Sequence, residues 1–285
     1  MAAAAGPGVA ALVGSPVAHS LSPAIHRAAF DAAGVDWSYV AFDVASGRGA
    51  AAVAAARTLG LRGLSVTTPL KEEAAAAVDA LSPAAVAMGA ANTVGVDRDG
   101  RLRGESTDGD GFVALLTAEG VDPVGRRFAV LGAGGAARSV VEALGRAGAV
   151  DIVVVNRSPA RAEAAAALAA TARPPTGDVG GELAAADVIV NATTVGFTGG
   201  DDPDGVPFDV AVLRPGHVVC DLVYHPMETP LLRAARGAGA RAVDGLGLLV
   251  HQAALQQQLW LGHLPDVAVM RAAAEAELTR RRATP

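Results

Sequence analysis

Short runs of apolar residues alternate with alanine-rich segments of helical period along the first half of the chain. The runs predict strands at residues 9–13, 37–44, 64–66, 92–96 and 101–104, the last two paired as a hairpin across residues 97–100. The segments between and after them predict helices at residues 23–33, 48–59, 72–78, 83–88 and 107–119. Strands that alternate with helices are typical of parallel sheets, so we expect a mostly parallel α/β domain.

A second series follows a turn-rich connector at residues 120–125. It predicts strands at residues 128–131, 152–155, 187–191, 217–222 and 241–243. Its helices are predicted from a glycine turn to residue 147 and at residues 159–170, 248–261 and 265–280. Residues 198–208 are rich in Gly, Asp and Pro, which predicts a mobile surface loop.

Polar residues surround two of the predicted helix starts. Ser22 precedes Pro23 and is predicted to be an N-cap, with Gly34 ending that helix. After the strand at residues 64–66, Thr68-Pro69 begins the next helix and places Lys71 in its first turn. Open α/β sheets bind ligands at the carboxyl ends of their strands, so Lys71 is predicted to lie beside a ligand.

The composition excludes several classes of function. A formal net charge of −6 gives no general attraction to nucleic acid or to an anionic membrane, so any anion site must be local. No uninterrupted apolar run reaches the roughly 20 residues of a membrane span. No Lys or Arg precedes Arg27, so we do not expect the basic n-region of a signal peptide. The one cysteine, Cys220, excludes an internal disulfide, offers no metal-ligand spacing and is predicted to be buried in a strand. We expect a soluble cytoplasmic protein without a metal site.

Lysine occurs once in the chain, at Lys71, beside 22 arginines. Arginine does not lose its proton in proteins, whereas the pKa of a lysine moves readily, as proton transfer requires. A lysine that merely survived compositional drift toward Arg explains the count equally well. Composition alone leaves both interpretations open.

Gly132-Ala133-Gly134-Gly135-Ala136-Ala137 follows a predicted strand and opens a predicted helix, as in the G-x-G-x-x-A dinucleotide fingerprint. At the end of the next strand, where NAD sites carry a carboxylate, the chain has Asn156-Arg157-Ser158 and then Arg161. Two guanidiniums without a carboxylate favour a 2′-phosphate, and therefore NADP over NAD. The alternative is that both arginines are ordinary residues of a helix surface, with Ser158 as its N-cap.

Taken together, the motifs resemble those of the shikimate dehydrogenase family from one end of the chain to the other. The matching stretches are Gly14-Ser15-Pro16, His19-Ser20-Leu21-Ser22-Pro23, Ser65-Val66-Thr67-Thr68-Pro69-Leu70-Lys71, Ala91-Asn92-Thr93, Ser106-Thr107-Asp108, the glycine turn with Asn156-Arg157-Ser158, Asn191-Ala192-Thr193, Asp221-Leu222-Val223-Tyr224 and residues 247–252.

This resemblance implies a reversible, NADPH-dependent reduction of the ketone of 3-dehydroshikimate in the chorismate pathway. It implies a two-domain α/β fold, with a discontinuous substrate domain at residues 1–107 and 247–285. Residues 108–246 would form a Rossmann-type NADP-binding domain, and the C-terminal helices would return to the substrate domain. Shikimate is the implied small-molecule partner. The resemblance leaves a homodimer open, and the sequence itself carries no signal for an oligomeric state.

The resemblance also implies roles for single residues. Lys71 and Asp108 are similar to the family's catalytic pair, in which an ammonium supplies a proton to the developing alkoxide and a carboxylate orients it. Ser20 and Ser22 resemble the pair that grips the substrate carboxylate. The residues implied to bind the ring hydroxyls are Thr67, Asn92, Asp108 and Gln252. The implied cofactor contacts are Gly132, Ala133, Gly134, Gly135, Ala136, Asn156, Arg157, Ser158, Arg161, Gly245 and Leu248.

Tyr224 resembles a residue near both the nicotinamide and the substrate, although an aromatic residue that fills the sheet end explains it equally well. The chain departs from the family at Ser65 and Ser106, where Asn is common, and at Phe197 and Leu248, where Met is common. The two serines motivate an alternative activity, quinate or aminoshikimate dehydrogenase on the same scaffold. A sensor that binds NADPH without chemistry is the non-enzymatic alternative, and the presence of both Lys71 and Asp108 argues against it.

Overall fold

The computed structural model describes residues 6–97 and 99–283. Its contacts divide the chain into a first unit, Met1–Thr107 with Val250–Pro285, and a second unit, Asp108–Leu249. The connector at residues 120–125 lies inside the second unit. The two boundaries fall within helices, namely α5 at Thr107–Ala118 and α10 at Gly245–Leu261.

The first unit is built on one mixed sheet. Its strands are β1 Gly8–Gly14, β2 Trp37–Asp43, β3 Gly63–Val66, β4 Ala80–Leu81, β5 Thr93–Val96 and β6 Leu102–Glu105. Among the described residues they lie in the order β2-β1-β3-β5-β6-β4. β1 pairs with β2 and β3 in parallel, β4 pairs with β6 in parallel, and the predicted hairpin β5–β6 is antiparallel. Residue 98, which belongs to the turn of this hairpin, lies outside the described residues.

Helices cover both faces of this sheet. They are α1 Ser22–Ala32, α2 Gly49–Thr58, α3 Lys71–Ala77, α4 Pro83–Met88, the C-terminal part of α10 Gly245–Leu261, and α11 Val267–Ala283. On one face, Leu64 and Val66 of β3 pack with residues of α2 and α3. On the other, Tyr39 of β2 packs with Phe30 of α1 and Trp260 of α10. Side chains alternate along a strand, and Ser65 faces the side of α10, where its hydroxyl donates to Gln256.

The second unit has a wholly parallel sheet. Its strands are β7 Arg127–Leu131, β8 Asp151–Val155, β9 Ala172–Arg173, β10 Val188–Asn191, β11 Val218–Asp221 and β12 Arg241–Val243. Among the described residues they lie in the order β12-β11-β10-β7-β8-β9. Counted from β7, this is the 3-2-1-4-5-6 order of the Rossmann fold read from the other edge, with its topological switch between β7 and β10. The predicted fold class is therefore confirmed.

The helices of this unit are α5 Thr107–Ala118, α6 Gly135–Arg146, α7 Pro159–Ala166, α8 Val179–Ala185 and α9 Pro230–Gly237. The predicted loop at residues 198–208 contains neither helix nor strand. Cys220 is 1% exposed in β11, as predicted.

Candidate functional site

The segment that carries Ser20 and Ser22 follows β1 and enters α1. The predicted N-cap at Ser22 is wrong, because Leu21 occupies the cap position in a helical conformation and Ser22 is the first residue of the helix. Instead, the Ser20 hydroxyl accepts a hydrogen bond of 3.2 Å from the Ser22 backbone N–H. Ser22 itself is 7% exposed.

Thr67 and Lys71 lie at the carboxyl end of β3. The Thr67 N–H donates to the Val13 carbonyl at 2.9 Å, which holds Thr67 beside the end of β1. Lys71 is the first residue of α3 and is half-buried. Its main-chain carbonyl accepts from the Ala91 N–H at 2.9 Å. Because β5 runs antiparallel to β3, the start of β5 lies beside the end of β3, and Asn92 therefore lies in the same region as Thr67 and Lys71.

Asn92 has a fixed side-chain amide. Its Oδ1 accepts from the Thr107 N–H at 2.8 Å and from the Thr93 hydroxyl at 2.9 Å. Its Nδ2 donates to the Thr107 hydroxyl at 3.0 Å, and the residue is 4% exposed. The sequence pointed to Asn92 but gave no role to Thr93 or Thr107, the residues that orient it.

A chain of buried hydrogen bonds runs beneath these residues. The Tyr39 hydroxyl donates to Ser65 Oγ at 2.7 Å, and the Ser65 hydroxyl donates to Gln256 Oε1 at 2.6 Å. Gln256 Nε2 then donates to the main-chain carbonyl of Asn92 at 3.3 Å. Burial raises the pKa of Tyr39 well above its usual value, so it is the neutral phenol that donates in this chain. Gln252 lies one helical turn before Gln256 in α10 and is 8% exposed.

The glycine turn of the second unit combines one crowded and two open positions. Gly132 has φ +112°, and a Cβ there would lie 2.8 Å from the Ala192 carbonyl oxygen. At Gly134 and Gly135, by contrast, an added Cβ would meet nothing within 4 Å among the described atoms. Gly134 is the extended N-cap of α6, and its position receives no side-chain cap from the described residues.

The first N–H groups of a helix have no partner within the helix, so the open start of α6 offers donors to an anion. Ala133 packs against the core of this unit, while Ala136 is exposed on the first turn. A pyrophosphate fits this cradle by both its shape and its donors.

Asn156, Arg157, Ser158 and Arg161 surround the carboxyl end of β8. Asn156 Nδ2 donates to the Ser158 carbonyl at 3.1 Å, which closes a tight turn. Ser158 occupies the N-cap position of α7, as the alternative interpretation of this stretch expected, but its side chain makes no capping bond to a described residue. Arg157 and Arg161 are exposed, and neither forms an ion pair with a described carboxylate. This donor set fits a phosphate monoester, and it contains no carboxylate to accept from a ribose 2′-hydroxyl.

Other site residues predicted from the sequence lie elsewhere in the second unit. Gly245 begins α10 so close to the end of β11 that a Cβ would lie 2.4 Å from the Leu222 carbonyl oxygen. Leu248 packs against the core around α5 and α6. Asp108 lies in the first turn of α5 and is half-buried.

Tyr224 lies in the loop after β11, which is held by a buried carboxylate. Asp221 Oδ1 accepts from Asn191 Nδ2 at 2.9 Å, and its Oδ2 accepts from the Thr229 hydroxyl at 2.7 Å. Burial raises the pKa of Asp221, and these bonds oppose that rise. The sequence indicated Asp221 only within a motif, without this supporting role.

Within the described residues there is no cluster of His, Cys, Asp and Glu that could hold a metal ion. Over the same residues, no helix is both long and apolar enough to cross a bilayer.

Three family models match successive parts of the chain. The shikimate dehydrogenase substrate binding domain matches residues 12–94, the shikimate / quinate 5-dehydrogenase model residues 118–196, and the shikimate 5′-dehydrogenase C-terminal domain residues 245–275. A protein of Moorella thermoacetica named shikimate dehydrogenase (NADP(+)) is 46% identical over 271 residues, which cover 92% of this chain and 91% of that protein. The chain belongs to the shikimate dehydrogenase family.

Solved structures of this family have the same fold. Shikimate 5-dehydrogenase of Thermus thermophilus, in complex with NADP(H) and shikimate, is 40% identical with a TM-score of 0.85, and the match covers 94% of this chain and 99% of that one. Quinate dehydrogenase of Corynebacterium glutamicum, in complex with NAD, is 32% identical with a TM-score of 0.86, and the match covers 95% of this chain and 99% of that one.

Proposed function

We propose that this chain is an NADP-dependent shikimate dehydrogenase, which reversibly reduces 3-dehydroshikimate to shikimate. The observation that carries the proposal is the end-to-end similarity to relatives named shikimate dehydrogenase (NADP(+)), at 46% identity over 92% of the chain. The quinate alternative is not favoured, since the quinate dehydrogenase structure is 32% identical, against 46% for the relative named shikimate dehydrogenase (NADP(+)). Because these relatives are named as dehydrogenases, they also argue against a sensor that binds NADPH without chemistry.

Lys71 is proposed to move the proton. Bound NADPH supplies a hydride to the carbonyl carbon, and the oxygen of that carbonyl then needs a proton. The Lys71 ammonium is a suitable donor in this direction, and the neutral amine accepts the proton when shikimate is oxidised. Because α3 begins at Lys71 and its carbonyl is tied to Ala91, the backbone from which the side chain extends is fixed. Asp108 is proposed as the carboxylate partner that orients the ammonium.

The substrate is proposed to lie at the carboxyl end of β3. The hydroxyls of Ser20 and Ser22 would donate to its carboxylate, and Thr67, Asn92, Asp108 and Gln252 would hydrogen-bond the ring hydroxyls. Buried amides and hydroxyls discriminate well, because a substrate that lacks one hydroxyl leaves a protein group unpaired. The fixed amide of Asn92 supports this role, since a preset orientation lowers the entropic cost of binding. Tyr224 is proposed to lie near the substrate and nicotinamide.

The cofactor is proposed to bind the second unit. The pyrophosphate would lie on the open start of α6, in contact with residues 132–136. Arg157 and Arg161, with Asn156 and Ser158, would hold the 2′-phosphate, and Gly245 and Leu248 would lie beside the nicotinamide. The absence of a carboxylate among Asn156, Arg157 and Ser158 supports NADP over NAD.

Initial rates of shikimate and quinate oxidation, each with NADP and with NAD, test this assignment. We expect the highest kcat/KM for shikimate with NADP. A higher kcat/KM for quinate with NAD would contradict the proposal, and tight NADPH binding without turnover of either polyol would favour a sensor. A homodimer and a cytoplasmic location belong to the same proposal, and light scattering after gel filtration tests the dimer.

A further inference from the structure

Gln256 is a buried glutamine in the first unit that no motif of the sequence identifies. It is 3% exposed, and both ends of its amide are engaged. Oε1 accepts from the Ser65 hydroxyl at 2.6 Å, and Nε2 donates to the Asn92 carbonyl at 3.3 Å. A buried amide engaged at both ends has one preferred orientation, because rotating it would leave buried polar atoms unpaired.

Helix α10 and strand β3 face one another in matched layers. A Cβ on Gly63 would lie 2.3 Å from the Trp260 ring, so these two residues share one layer. Ser65 and Gln256 form the next layer through their hydrogen bond. Two residues of a strand span about 6.6 Å and four residues of a helix about 6 Å. Successive layers therefore have nearly the same spacing on both elements. Continued by one step, the same register brings Gln252 level with Thr67.

The layer of Gln256 therefore lies directly beneath the layer proposed to contact substrate. Ser65 contributes only a short hydroxyl to this layer from the strand side. The amide of Gln256 enters the layer from the helix side, and the Ser65 hydroxyl links it to Tyr39. Thus Ser65 does not leave a gap in this layer.

One end of the chain of hydrogen bonds reaches a proposed substrate contact. The Asn92 main-chain carbonyl receives Gln256 Nε2 at 3.3 Å and the Val66 N–H at 2.7 Å. The other end is the buried Tyr39, whose hydroxyl donates to Ser65 at 2.7 Å. A shift of the Gln256 amide would therefore alter the position of Asn92 through one bond.

We propose that Gln256 is a positioning residue of the substrate site, which holds Asn92 in place through an amide that Ser65 and Tyr39 orient. The inference rests on the proposed function, because that function assigns Asn92 to a ring hydroxyl. Gln256 acts on substrate binding and not on proton transfer or on the cofactor. Its loss is expected to weaken shikimate binding while chemistry and NADP binding persist.

Four variants test this inference in the whole chain. Gln256→Met keeps the length of the side chain and removes both hydrogen bonds. Ser65→Ala removes the hydrogen bonds of Ser65 with Tyr39 and Gln256 but leaves the one from Gln256 to Asn92, and it serves as a second route if Gln256→Met does not fold. The double variant Ser65→Ala/Gln256→Met completes a cycle. The matched control is Gln258→Met, since Gln258 is exposed on the same helix.

In shikimate oxidation with NADP, we expect Gln256→Met to raise the KM for shikimate about tenfold, in line with the loss of buried hydrogen bonds. The kcat should stay within about threefold and the KM for NADP within about twofold. Ser65→Ala should raise the same KM by a smaller factor, and the double variant should resemble Gln256→Met, because both changes act through one chain. Gln258→Met should match wild type.

An unchanged KM for shikimate in both single variants overturns the inference while the proposed function stands. The inference is also overturned if kcat and the affinities for shikimate and NADP fall together and the Tm is lower, because that is the pattern of a merely structural residue. A wild-type protein that does not oxidise shikimate overturns the proposed function itself, and that result is seen before any variant is compared.

Discussion

Arg281, in the last helix, donates a hydrogen bond of 2.9 Å to the main-chain carbonyl of Ser20, which lies 261 residues earlier in the chain. The same guanidinium donates to the His19 carbonyl at 2.6 Å, and its Nε donates to Glu277 at 2.7 Å. The last helix therefore fixes the backbone of the segment proposed to bind the substrate carboxylate.

Replacement of Arg281 should weaken substrate binding without harming the chemistry. Two charge-assisted bonds to the Ser20 segment are lost in Arg281→Met, so we expect the KM for shikimate to rise about tenfold and kcat to stay within about threefold. Initial-rate kinetics measure both constants. The control is Arg282→Met, because Arg282 is the neighbouring arginine on the same helix. Equal KM values in the two variants would contradict this role.

Lys71→Ala should lower kcat by a factor on the order of 10² to 10⁴, the usual scale for a general acid–base group, with little change in NADPH affinity. Lys71→Arg should also be impaired, because arginine keeps the charge but does not release its proton. Steady-state turnover and NADPH fluorescence titration separate the two effects. Unchanged turnover in Lys71→Ala refutes the assignment.

Arg157 and Arg161 should discriminate NADPH from NADH. Each of the variants Arg157→Met and Arg161→Met should raise the KM for NADPH about tenfold, because each loses a charge-assisted contact with the 2′-phosphate. The KM for NADH should change less than about twofold, since NADH lacks that phosphate. The ratio of the KM values for NADPH and NADH is thus an internal control. Equal changes with both cofactors would show that the arginines do not contact the 2′-phosphate.

The glycine turn should separate stability from cofactor binding. Gly134→Ala fills open space at a backbone conformation that alanine adopts, so the Tm should change little while the KM for NADPH rises. Gly132→Ala should lower the Tm as well, because φ is +112° and the new Cβ would lie 2.8 Å from the Ala192 carbonyl oxygen. Thermal denaturation compares the two. An equal loss of Tm in both variants would contradict the open cradle.

Glu182 should make the stability of the second unit depend on pH. Hydrogen bonds of 2.8 and 2.9 Å from Arg173 lower the pKa of Glu182 to about 2, from an ordinary value of 4.5. A carboxylate whose pKa is lowered by folding stabilises the folded state at pH values above its ordinary pKa. This stabilisation is lost as the pH falls from about 4.5 toward 2. Glu182→Gln should therefore lower the Tm by about 2–4 °C at about pH 6.5, and by less at about pH 3.5.

The exposed Glu163, in the neighbouring helix α7, provides the matched control for that measurement. Glu163→Gln should follow the wild-type Tm at both pH values. A Tm difference for Glu182→Gln that is independent of pH would show that the carboxylate charge does not stabilise this unit.

The sequence predicted most helices and strands because apolar runs and turn residues are local signals. The strand at residues 241–243 and the helix at residues 83–88 have the predicted bounds. The two-residue strands β4 and β9 were missed, since two residues carry no period and exist only through pairing. Helix α9 was also missed, although Thr229 as N-cap and Pro230 behind it are a readable signal.

Motifs in the sequence point to candidate site residues but not to the distant residues that support them. Lys71 and Asn92 come from such motifs, whereas Gln256 was missed because its partner Ser65 lies 191 residues away. Ser22 was taken for an N-cap because local rules favour serine before proline. The hydroxyl of Ser20 accepts from the Ser22 N–H instead, a geometry that composition does not reveal.

Cys220 offers a way to observe one unit of the intact chain by itself. It carries the one thiol of the sequence, is 1% exposed in the parallel sheet of the second unit, and has a pKa that burial raises. A thiol reagent can therefore modify it only while that sheet is open, and the modification rate measures the free energy of this opening. The same rate, followed as NADP is added, would report how strongly the cofactor holds the Rossmann unit closed against unfolding.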